Sequence, residues 1–102
     1  MEPRAPEPLQ QTFLVEHYRP GLRVEELEQL AARAAAAVRE LQRQGRPMRF
    51  VRSVVVPGDE SVLSLVEAAS ERLVREAYTR SGIPFERISQ SRVLTDSETE
   101  SR

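Results

Sequence analysis

Val74-Arg-Glu-Ala-Tyr-Thr-Arg-Ser-Gly-Ile-Pro-Phe-Glu-Arg-Ile88 decides how the chain folds, because it joins a helix end, a double stop and the start of a last strand. Val74, Ala77 and Tyr78 recur at helical spacing, so one side of the segment packs on a sheet while Arg75, Glu76 and Arg80 stay in water. Gly82 is free to take the left-handed conformation that closes a helix, and Pro84 cannot continue one.

Upstream, residues 11–18 (QTFLVEHY) are rich in aromatic and β-branched types and stop at Arg19-Pro20-Gly21, a strand followed by a turn. Phe13 and Val15 fall on one face and Leu14 on the other, so this first strand is expected to be buried on both sides. From Val24 the period becomes helical through Leu27, Leu30, Ala31, Ala34, Val38 and Leu41, with Gly45 and Pro47 as the stop. Residues 48–56 read as a second strand, Pro57 to Glu60 as a turn and residues 61–68 as a third strand. A second helix follows over about 70–81 with Ser70 as its cap, and the last strand is expected over 87–94.

Strand, helix, strand, strand, helix, strand is the ferredoxin-like α+β order, βαββαβ, with two helices on one face of a four-stranded antiparallel sheet. The other face is left bare. A homodimer stacking two such sheets as an α+β sandwich or barrel would bury it, and a ligand cavity would lie between them.

Length sets one domain, with 102 residues in all and a folded part over 11–94. The proline-rich residues 1–10 are expected to form a disordered arm and residues 95–102 a disordered polar tail. The arm has acids and prolines where an export signal needs a charged start and an apolar run. No stretch approaches the ~20 apolar residues of a membrane span. Fifteen basic against 16 acidic residues give a net charge of −1, which argues against nucleic acid and anionic membranes as partners. All the basic residues are arginine, which reads either as forks for phosphate or carboxylate or as GC-rich coding. There is no cysteine, so disulfides and thiolate chemistry are excluded, and a cytoplasmic location is the expectation.

Phe13-Leu14-Val15-Glu16, then Pro20-Gly21, Glu25-Glu26-Leu27 and the closing stretch together resemble a family of small ferredoxin-like domains that includes an actinobacterial nickel-binding protein. The resemblance spans about residues 12–93. It implies a homodimer with metal or small-molecule binding. In the family pattern a cysteine lies in the third strand and a histidine follows the arginine-glutamate pair of the second helix. Those positions are Ser64 and Ala77 here, and the position after Glu16, often arginine in the family, is His17. Serine is a poor nickel ligand and alanine is none, so the resemblance implies a degenerate metal site.

The candidate ligand or metal residues are therefore Glu16, His17 and Tyr18, with Arg52 and Arg92 as ligand contacts. His17 is the only histidine, and reads either as a general base or as a structural strand-end residue. Glu16 is a carboxylate in an apolar strand, either a cavity acid or half of an ion pair with Arg52 or Arg92. Arg52 and Arg92 either grip an anion or guard a sheet edge against aggregation. Tyr78 and Phe85 read as core, and Glu86-Arg87 as the pair that holds the proline turn. No phosphate loop, catalytic triad or zinc finger has the right spacing. Three functions stay open: a ligand- or metal-binding dimer, a cofactor-free barrel enzyme using Glu16 and His17 in a cavity, and a non-catalytic interaction module.

Overall fold

The computed structural model describes residues 11–96, and the expected arm over 1–10 and most of the expected tail lie outside them. In chain order the elements are β1 (Gln11–Tyr18), α1 (Val24–Arg43), β2 (Met48–Val56), a 3-10 turn (Pro57–Asp59), β3 (Ser61–Ala68), α2 (Glu71–Arg80) and β4 (Arg87–Ser91). The strands lie in the order β2-β3-β1-β4, every neighbouring pair antiparallel. This is the ferredoxin-like α+β fold expected from the element order.

Period two in the strands decides which residues meet the helices. Phe13, Val15 and His17 of β1 and Val62, Ser64, Val66 and Ala68 of β3 are buried, and the apolar ones among them share a core with Leu27, Leu30, Ala34, Val38 and Leu41 of α1 and Leu73, Val74, Ala77 and Tyr78 of α2. Burying such side chains is worth about 25 cal/mol per Å² of apolar surface, which makes this layer the main source of stability. In β2 the alternation slips between Phe50 and Arg52, where a bulge makes Val51 an extra residue. Phe50 therefore faces the helices, and Arg52, paired with Leu65, faces away.

The closing stretch behaves as its chemistry requires. The Ser70 hydroxyl accepts the Leu73 backbone N–H at 3.2 Å, a cap worth about 1 kcal/mol. Gly82 takes φ 68°, the Ile83 N–H donates back to the Tyr78 carbonyl at 2.9 Å, and Ile83 turns into the core. Arg46, just past α1, makes two hydrogen bonds to Glu76 of α2 at 2.8 and 3.0 Å, which holds the helix pair in register.

One boundary is corrected. The last strand ends at Ser91 instead of continuing to Leu94, and Arg92, Val93 and Leu94 are exposed beyond it. Its final pair joins Ser91 to Thr12 of β1.

Candidate functional site

His17 sits where β1, β3 and the loop after α2 converge, and it is completely buried. Its Nδ1 lies 3.0 Å from the Pro84 carbonyl oxygen and its Nε2 lies 3.1 Å from Ser64 Oγ. A carbonyl oxygen only accepts, so Nδ1 carries the hydrogen and Nε2 presents its lone pair. The Ser64 hydroxyl then donates to Nε2. The Gly82-Ile83-Pro84 turn thus aims a backbone carbonyl at the imidazole and selects its tautomer.

Tyr78 completes the cluster from α2, its ring edge-on to the imidazole at 5.2 Å between centroids. Phe85 packs at 6.2 Å on the same tyrosine. The phenol oxygen is buried with no partner at hydrogen-bond geometry. Burial pushes its pKa up to about 12, with the nearby Ser64 hydroxyl opposing. Burial likewise holds the His17 imidazole below its usual 6.5, opposed by the Pro84 carbonyl and by the Glu86 carboxylate. The resting imidazole is neutral.

Glu16 looks the opposite way. It faces the bare side of the sheet with Leu14 and Tyr18, and its partner is Arg87 of β4, with Nη2 at 2.7 Å and Nε at 2.9 Å from one carboxylate oxygen. Expected partners Arg52 and Arg92 are thereby corrected: antiparallel register sets Glu16 directly across from Arg87, while Arg52 lies on β2, beyond β3, and Arg92 lies past the end of β4. Glu86 accepts the Tyr18 backbone N–H at 2.7 Å and ties the proline turn to the end of β1. Glu16 and His17 therefore do not share a cavity.

The bare face carries Leu14, Leu63, Leu65, Val54 and Tyr18, the last two 44% and 48% exposed. Ion pairs Glu16–Arg87 and Arg49–Glu67 flank this apolar centre. Expected burial of β1 on both sides is met, among the described residues, on the helix side alone.

A family model described as "Nickel responsive protein SCO4226-like" matches residues 13–90. The chain belongs to that family. SCO4226 from Streptomyces coelicolor A3(2), in its crystal structure, superimposes with a TM-score of 0.63 at 18% identity, over 82% of this chain and 99% of that one. At that identity the likeness concerns the fold. A search of the curated proteins finds no match.

The donor set at the cluster does not fit nickel. His17 is its only nitrogen ligand type, its Nε2 lone pair is taken by Ser64, and the other groups are a hydroxyl and a protonated phenol. Ala77 is buried and contributes no donor atom. Among the described residues no group of three or more His, Cys, Asp or Glu side chains is placed to hold a metal ion, and no helix is long and apolar enough to cross a membrane. Sequence reasoning missed that His17 and Ser64 meet. Parity was the available signal, since His17 shares its face with Phe13 and Val15.

Proposed function

We propose that the protein is a homodimeric, small-ligand-binding member of the nickel-responsive family whose metal site is degenerate. The observation that carries this reading is the imidazole engaged at both nitrogens, by Pro84 and by Ser64. A metal-binding histidine also holds one N–H on a carbonyl, but it keeps the other nitrogen for the metal. Here that nitrogen is spent on a serine.

Pairing through the bare sheet face is supported by its apolar centre, which has no cover within the described residues. The flanking ion pairs neutralise its charge before a second sheet arrives. Nickel responsiveness in this member would then be indirect, through a partner or a small ligand. The cofactor-free enzyme reading is disfavoured, because Glu16 and His17 face opposite sides of β1.

Sedimentation velocity of the wild type and of Leu63→Glu, beside equilibrium dialysis against nickel, tests the reading. A wild-type dimer, a folded Leu63→Glu monomer and no stoichiometric nickel are expected. A wild-type monomer would sink the sheet-pairing part, and one retained nickel per protomer would sink the degenerate site.

A further inference from the structure

A cleft of about 300 Å³ lies beside the β1–α1 loop, lined by Arg19, Leu22, Glu26, Gln29, Leu30, Arg33 and Pro84. Small organic ligands occupy clefts of this size. We propose that this cleft binds a small organic monocarboxylate through Arg19 and Arg33, with the apolar body of the ligand against Leu22, Leu30 and Pro84. The inference rests on the ligand-binding part of the proposed function and supplies its site and ligand class.

Charge distinguishes this cleft. Arg23, Arg43, Arg46, Arg49, Arg75, Arg80 and Arg87 each pair with a carboxylate. Arg19, Arg33, Arg39, Arg52, Arg72 and Arg92 have no ion-pair partner among the described residues, and of these Arg19 and Arg33 line one concave site. A guanidinium presents a planar fork that matches a carboxylate with two hydrogen bonds. Glu26 lines the same cleft but also faces Arg23 Nε at 3.6 Å, so the two arginines keep the site cationic. A cationic fork beside the apolar Leu22, Leu30 and Pro84 suits a small carboxylate with an apolar body.

The cleft is also preorganised. Arg19 stands on a loop pinned to the β2–β3 turn: its backbone N–H donates to the Glu60 carbonyl at 2.8 Å, and the Gly21 N–H donates to the Glu60 carboxylate at 3.1 Å. Gln29 and Arg33 lie four residues apart on α1 and so project from one face. Glu26 is held by the Arg23 backbone N–H at 2.8 Å, which keeps it at the rim. A ligand would meet a site already built, with little ordering to offset.

Pro84 forms one wall of the cleft, and its carbonyl holds His17 Nδ1. Occupancy is therefore reported to the buried imidazole, the only histidine in the chain.

The test is a titration of the full-length ¹⁵N-labelled protein with benzoate, and separately with benzamide as the neutral analogue of the same shape. Benzoate is expected to shift the Arg19, Leu22, Gln29 and Arg33 signals saturably, and benzamide to bind about tenfold or more weakly. Arg19→Gln/Arg33→Gln should weaken benzoate by about tenfold or more, Glu26→Gln should tighten it, and Arg52→Ala on the far face should leave it unchanged. Spectral dispersion of each variant reports its fold. Equal affinity for benzoate and benzamide, undiminished binding by the folded double variant, shifts centred elsewhere, or no binding into the tens of millimolar would each overturn the proposal. Sedimentation and the His17 ring signals of the same samples report the dimer and the closed imidazole separately, so failure of the cleft and failure of the proposed function are told apart.

Discussion

His17 Nε2 and Ser64 Oγ lie 3.1 Å apart, across two paired strands and out of contact with water. Register brings them together: Val15 faces Ser64 and His17 faces Val62, so the two polar side chains are diagonal neighbours on the helix side of the sheet. A buried histidine is costly unless both nitrogens are satisfied. With Pro84 on one and Ser64 on the other, this one is.

Removing the imidazole leaves the Ser64 hydroxyl and the Pro84 carbonyl without that partner and opens a cavity. His17→Ala is expected to cost about 2–4 kcal/mol, read as a lower urea midpoint at unchanged slope. A loss under about 0.5 kcal/mol would show that the network contributes little.

Burial lowers the His17 pKa, so the unfolded chain binds the proton more readily than the folded one. Stability from this group is present above the ordinary imidazole value of 6.5 and is lost as pH falls below it toward the folded-state value. Wild-type stability should therefore drop between neutral and mildly acidic pH, and His17→Asn should drop less. Parallel pH profiles for the two would contradict the assignment of the slope to His17.

The Tyr78 hydroxyl is buried without a partner at hydrogen-bond geometry. Tyr78→Phe is expected to leave stability unchanged or raise it by about 1 kcal/mol, because a desolvated polar group is removed along with its cost. A loss of more than about 1 kcal/mol by thermal or urea unfolding would mean that the phenol is satisfied in solution.

Ser64→Cys/Ala77→His places a thiolate and a second imidazole at the two positions that the sequence resemblance assigns to cysteine and histidine. This double variant should gain stoichiometric nickel in equilibrium dialysis, with a thiolate-to-metal absorption band that the wild type lacks. A folded double variant that stays free of nickel would show that the site has lost its shape as well as its ligands.

Much of the fold was legible because its signals are local. Periodicity located β1, β2 and β3 at their observed limits, and Ser70 and Gly82 marked the limits of α2. The end of β4 was not legible, since Arg92-Val93-Leu94 is as strand-like in composition as the residues before it. At the site, the opposite facings of Glu16 and His17 followed from period two. Arg87 as the partner of Glu16 depends on register across 71 residues, which no local pattern encodes. The same holds for Ser64, which the family resemblance marked as a vacated ligand position and whose hydroxyl lies 3.1 Å from His17 Nε2.

Ser64 occupies the Nε2 lone pair of the single imidazole, which is the lone pair a metal would need. Long-range ¹H–¹⁵N correlation of the His17 ring, recorded with and without one equivalent of nickel, reads it directly. A neutral ring protonated at Nδ1, with signals unmoved and unbroadened by nickel, is expected. A ring protonated at Nε2, or signals erased by stoichiometric nickel, would contradict it.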